Sequence, residues 1–217
     1  MKKGFEIAAD LTEVAVKSLL LNGIAKDIPY VGTLLKVWNL NDSIRDRMFA
    51  SKVMRFFESL SDVKGKEREK MSNKIKYSNQ DDLNNITDKI LFCIESITDI
   101  DKSEFIANLF IAYTYEKITE SEFRRCTDII KISFLDDLKN YVMTNLDSYC
   151  NEQELQRNKV IALINTPLFA PFRDDIFLGR VGDTDNLGEQ LFKETDIGHR
   201  FKIAFQFGKE KREVENS

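Results

Sequence analysis

From residue 11 onward, apolar side chains recur every three or four positions, the spacing of one face of a helix. Leu11, Val14, Ala15, Leu19 and Leu20 form a first stripe that closes near Asn22 and Gly23. Pro29 opens a second helix, where its missing N–H would be unpaired in any case. Tyr30, Val31, Leu34, Leu35 and Trp38 follow it. Asn41, Asp42 and Ser43 offer oxygens to cap a third helix, striped by Phe49, Val53, Phe56 and Leu60. The charged run 64–76 reads as a solvated helix or a linker. After the polar stretch 78–82, Leu83, Ile86, Ile90 and Ile94 share one helical face, with Leu91 and Ile97 beside it. Asp101 to Glu104 and Thr119 to Glu122 both have capping-box spacing. Each precedes an apolar periodic run, 105–115 and 123–132, and a further helix is predicted over 134–146.

The pattern changes from residue 149. A helix over 152–164 is expected to end at 166–171, which holds two prolines. Residues 176–178 are short and apolar, 182–188 are turn-rich, and Leu191 with Phe192 suits a returning strand. Thr195 can cap a last helix carrying Ile197, Phe201, Ala204 and Phe205, and the charged tail from Lys209 is expected to fray. The fold class expected is mainly α: an N-terminal helical section at 1–76, a central helical section at 77–148, and a winged-helix-like unit with a short β-hairpin at 149–217. One compact domain would accommodate all three.

Composition supports this picture. With 3 Pro and 9 Gly in 217 residues, the chain has few of the turn residues that an all-β fold demands. The net charge of −4 hides an asymmetry: residues 1–76 carry 15 basic and 10 acidic side chains, and residues 77–217 carry 17 and 26. Only the first third would attract phosphate or anionic lipid by its overall charge. Three cysteines without C-x-x-C spacing fit a reducing compartment, and Cys93, inside the apolar run 90–94, reads as core. Glu6, Asp10 and Glu13 interrupt any secretory core. The most apolar stretch, 18–40, contains Lys26, Asp27, Pro29 and Lys36 and does not span a membrane by itself. A cytoplasmic protein is expected, with room for peripheral contact at the inner membrane face.

Candidate chemistry is sparse. One histidine, His199, gives no basis for a histidine metal site, and no phosphate-binding glycine loop or nucleophile elbow is present. Asp183, Asp185, Gly188 and Glu194 fall at positions one, three, six and twelve of a calcium loop, but Leu187 stands where an oxygen ligand is needed. That segment reads as a turn. No cofactor, metal or catalytic residue is therefore expected, and the protein reads as a non-enzyme acting by contact with a protein or a membrane surface. On a helical wheel Arg45 and Lys52 lie about 20° apart at the margin of the Phe49–Phe56 stripe. With Arg55 and with Trp38 on the preceding helix, they are the expected contact residues, where basic stems can cover apolar surface. The competing reading pairs these cations with acids of a neighbouring helix. An alternative function is nucleic-acid regulation through the winged-helix-like unit, with Arg157 and Lys159 on phosphates. Glu152, Glu154, Asp183, Asp185 and Glu189 around them would repel a phosphate backbone, so a protein partner is favoured, with self-association left open.

Four patches resemble the Abi-alpha family of abortive-infection proteins: residues 104–112 (EFIANLFIA), 123–130 (FRRCTDII), 134–138 (FLDDL), and 195–198 (TDIG) with Phe201. Together the matching region covers about 100 residues of the chain. Residues 132–136 (ISFLD) depart from the family's L-S-P element, and residues 28–35 and 43–49 look more like small uncharacterised bacterial proteins. The resemblance implies an all-helical body and a bacterial phage-resistance role, and it brings no catalytic residues.

Overall fold

The computed structural model describes residues 44–63, 65–77, 79–172 and 190–213. The two helices expected between residues 11 and 38, the capping run 41–43, the apolar segment 176–178 and the turn 182–188 lie outside the described residues.

Eight helices are described: α1 (Ile44–Ser61), α2 (Gly65–Tyr77), α3 (Gln80–Ser96), α4 (Lys102–Thr114), α5 (Glu120–Ile132), α6 (Leu135–Met143), α7 (Glu152–Arg157) and α8 (Asp196–Glu213). A 3-10 turn covers Ile161–Asn165, and three strands, β1 (Cys150–Asn151), β2 (Phe169–Phe172) and β3 (Leu191–Glu194), form one antiparallel sheet in the order β1-β3-β2. The protein is thus mainly helical with a small sheet.

α4 is the hub. Eleven of its 13 residues are buried, as expected of a helix that is apolar all round. α1, α5 and α8 pack around it, and α2 lies against it at the periphery. The α1 stripe is wider than four residues: Ala50, Val53, Met54, Phe56, Phe57 and Leu60 are all buried. Phe110 touches Phe56 on one side and Phe123 of α5 on another, with centroids 6.0 and 6.4 Å away. At the α4–α8 crossing the backbones nearly meet, since a Cβ on Gly208 would lie 2.2 Å from the Asn108 carbonyl oxygen. Only a residue without a side chain permits that approach. One apolar cluster runs from Val53 to Phe205, so α1 and the elements that follow it share a core.

Some local expectations hold and others need correction. At Thr119 the capping box forms in full: the hydroxyl accepts from the Glu122 amide and the Glu122 carboxylate accepts from Thr119 N–H at 2.7 Å. At Asp101 it does not form, because the Glu104 carboxylate is taken by Arg55 and Arg212 at 2.6 and 2.9 Å. Of the two readings of the charged run, the helix holds from Gly65, with Met71 and Ile75 turned inward. The helix expected over 134–146 ends at Met143. The one expected over 152–164 breaks at Lys159, which adopts φ 56°. There Val160 N–H donates to Leu155 C=O and Lys159 N–H to Gln156 C=O, a Schellman ending whose two apolar flanks, Leu155 and Val160, are both buried. Pro171 does not end the local structure but lies in β2, opposite Phe192. β2 is an edge strand, where a residue without an N–H can be tolerated. Fraying does not begin at Lys209: α8 continues to Glu213 and anchors through Arg212.

Candidate functional site

Four of the six sequence-selected contact residues fall on α1 or before it. Trp38 lies outside the described residues. Arg45 is exposed and pairs with Glu95 at the end of α3. Lys52, expected to reach outward, is only 6% exposed. Its ammonium donates to the carbonyls of Glu95, at 3.3 Å, and Ile97. It therefore caps the C-terminus of α3, where a cation meets the unpaired carbonyls and the negative helix end. Desolvation lowers its pKa, partly offset by the Glu95 charge. Arg55 donates to Glu104 at 2.6 Å and faces Asp101 at 3.6 Å. Arg45 and Arg55 thus pair with acids of neighbouring helices, whereas Lys52 is held by backbone carbonyls and is not available as a surface contact. A shallow, half-open cleft of about 280 Å³, lined by Ile44, Arg45, Met48, Phe49, Lys52 and Glu95, remains beside them.

The two residues selected at the C-terminal unit, Arg157 and Lys159, are exposed on either side of the α7 ending. The segment that follows, Ile161–Asn165, is a five-residue 3-10 turn of sequence IALIN. It carries no cation and is too short to lie along a DNA groove.

Two polar clusters were not legible in the sequence. In the first, the Tyr141 hydroxyl, wholly buried on α6, donates to Glu194 at the end of β3 over 2.5 Å. Lys202 of α8 meets the same carboxylate oxygen at 3.0 Å, lies 4.5 Å from the Tyr141 ring centroid and donates to Thr144 C=O. His199 is exposed, with Nδ1 3.8 Å from the other Glu194 oxygen. A tyrosine, a carboxylate, a lysine and a histidine together invite an acid–base reading. Burial, and then the hydrogen bond to Glu194, push the phenol far above its ordinary range, so it cannot serve as a base near neutral pH. What the cluster does is tie α6, β3 and α8 together. In the second, Arg212 donates to Glu104, Asn108 and Asp62 at 2.9, 3.1 and 3.0 Å. This fastens the last turn of α8 to α4 and to the residue just past α1. The links that define the clusters leave no local signal, because Tyr141 is 53 positions from Glu194 and Arg212 is 104 to 150 positions from its partners.

All three thiols are buried. Burial pushes Cys126 up to about 12 and Cys150 to about 11, and raises Cys93, so they behave as packing groups near neutral pH. Among the described residues no group of His, Cys, Asp and Glu could hold a metal ion, and no helix is long and apolar enough to cross a membrane.

Large apolar side chains remain on the surface of α3, at the end of α5 and at the start of α6. Phe92 is 54% exposed, Ile132 61% and Phe134 76%. Lys89 joins α3 to α5 through Asp128 at 2.6 Å, and the Lys131 ammonium stands 4.7 Å from the Phe92 ring centroid. Comparison with protein-family models, with curated proteins and with solved structures found no match.

Proposed function

We propose that the protein acts by contact with a protein partner through the exposed apolar residues of α3 and of the α5–α6 turn. The observation that carries this reading is the exposure of Phe92, Ile132 and Phe134, with Lys131 and the Asp128-paired Lys89 beside Phe92. Covering a phenylalanine contributes about 1.5–3 kcal/mol, and an apolar centre with a charged rim is the usual anatomy of a contact surface. The partner suited to it presents apolar side chains with a carboxylate opposite Lys131.

The setting we propose for that contact is bacterial phage defence, with the resemblance to abortive-infection proteins as its support. The matching patches lie mostly in α4, α5 and the start of α8. Their apolar positions are largely core, so the resemblance bears on the fold rather than on a site. We also read α6, β1, α7, the 3-10 turn, β2 and β3 as a winged-helix-like unit. The element order and the sheet order β1-β3-β2 support that reading. The absence of cations from the IALIN turn favours a structural or protein-contact role over DNA reading.

Infection assays test the proposal. Cells expressing the chain are expected to lower phage plaquing at least about tenfold relative to cells without it. The double variant Phe92→Asp/Phe134→Asp should abolish protection while melting with the parent. Unchanged plaquing across a phage panel would overturn the defence setting. Protection that survives the double variant would overturn those residues as its surface.

A further inference from the structure

The exposed apolar residues adjoin a tract in which charge is laid out in order. Lys131, Ile132, Ser133, Phe134, Leu135 and Asp136 carry the chain from the last turn of α5 into the first turn of α6. Ser133 and Phe134 have extended backbone, with ψ 154° and 146°, and successive side chains of an extended chain point to opposite sides. Ser133 accordingly turns inward and is buried, while Ile132 before it and Phe134 after it are exposed. Leu135 packs against the core. Ile132 and Phe134 thus stand out together on the side away from the core.

Lys131 and Asp136 bracket the tract, both exposed and each two residues out from the Ser133–Phe134 bond. Helix ends favour this order of signs, with a cation in the last turn of α5 and a carboxylate in the first turn of α6. Lys131 leans toward the Phe92 ring, and neither it nor Asp136 is in an ion pair among the described residues. Lys89, by contrast, is neutralised by Asp128. A purely acidic partner would be repelled by Asp136, and a purely basic one by Lys131. The surface that fits carries both signs in reverse order about an apolar centre. A copy of the same tract turned about a two-fold axis is such a surface, because an isologous contact sets residue i against j and j against i.

Resting on the reading of these residues as a contact surface, we propose that the partner they take is a second copy of the chain. Two α5–α6 turns pair about a two-fold axis close to Phe134, with Lys131 of each copy against Asp136 of the other. Ile132 and Phe134 form the apolar centre, and Phe92 flanks it. From their exposed fractions, Phe92, Ile132 and Phe134 offer on the order of 350 Å² of apolar surface per copy. A standard interface takes about 800 Å² from each partner. The dimer therefore belongs at the weak end of specific complexes, with a dissociation constant of about 10 μM.

The test is sedimentation velocity of the full chain at about 1 to 200 μM, a range that spans the expected constant. A monomer–dimer equilibrium is expected. Phe134→Ala should weaken it at least about tenfold. Lys131→Glu and Asp136→Lys, each alone, set like charges against each other twice and should each weaken it about tenfold. Mixed in equal amounts, these two variants make both contacts opposite in sign, and association should return to the parent's level. Each variant is compared only if it melts with the parent, and the charge changes, being on the surface, keep the test open should Phe134→Ala misfold. A chain that stays monomeric at about 200 μM would overturn the second copy as the partner. So would association unmoved by Phe134→Ala or by the charge changes, or not restored on mixing. A monomeric chain whose Phe92→Asp/Phe134→Asp variant loses phage protection keeps the contact surface and loses the second copy, so the two readings fail separately.

Discussion

α4 and α2 are both thirteen residues long, yet almost nothing that holds one holds the other. α4 is enclosed by neighbours, so that even Lys102, Ser103 and Asn108 are buried in it. α2 turns Met71 and Ile75 inward and also attaches through Glu67, which joins Lys211 and Tyr115, and through Lys74, which meets Glu116 and the Tyr115 ring. The difference teaches where a helix gets its definition. α4 is specified by packing on every side, and Asp101 at its N-terminus makes no side-chain cap bond. α2 depends on two apolar contacts and a handful of charges.

The sharpest way to break this comparison is to empty each helix of one buried side chain. Phe110→Ala is expected to cost about 3–5 kcal/mol in urea unfolding. Met71→Ala should cost about 2 kcal/mol, since a peripheral helix can settle into the gap. Equal losses would contradict the contrast. Next in size is Gly208→Ala, whose new methyl would overlap the Asn108 backbone. A loss of about 3 kcal/mol is expected, lowering the melting temperature by roughly 6–12 °C.

Helix ends sharpen the contrast further. Thr119→Ala removes a working capping box and should cost about 1 kcal/mol. Asp101→Ala, at the same kind of sequence position ahead of α4, should stay within about 0.5 kcal/mol, since no cap bond is lost and its contact with Arg55 is exposed. The smallest effect is a pH dependence on α2. Hydrogen bonds from Lys70, then Lys211, hold the Glu67 carboxyl at about 2, below its ordinary 4.5. A depressed carboxyl stabilises the fold fully above its unfolded value and loses that contribution as pH falls toward its folded value. The stability gap between the parent and Glu67→Gln should therefore be constant near neutral pH, shrink below 4.5 and vanish near 2, as followed by denaturant titration at each pH.

The same contrast explains what could be read from sequence. Ile86, Ile90 and Ile94 announce the buried face of α3 by spacing alone, because a helix on the edge of a core must be apolar on one side only. α4 was legible as a helix, but its apolar surround gives no direction to the pattern. Its neighbour α8 meets it at Gly208, where the feature that matters is a missing side chain. The candidate contact residues fared unevenly for a related reason. A helical wheel places Arg45 and Lys52 at the same margin, yet it cannot show that the end of α3 sits over Lys52 and leaves Arg45 in solvent. The exposed surface at Phe92, Ile132 and Phe134 was hidden likewise, since an apolar residue on a helix looks the same whether or not a neighbour covers it.

By itself, the sequence determined what depends on residues a few positions apart. The helical periodicity, the Thr119–Glu122 box and the Thr195 hydroxyl that accepts from Gly198 N–H at 3.1 Å are all of this kind. Tertiary structure decided whatever required distant partners. It diverted Glu104 from a capping box to two arginines, buried Lys52, and joined Tyr141 to Glu194 and Lys202. It also left Phe92, Ile132 and Phe134 uncovered. Local geometry follows from backbone sterics and short-range hydrogen bonds, whereas burial and charge pairing depend on which surfaces the whole chain brings together.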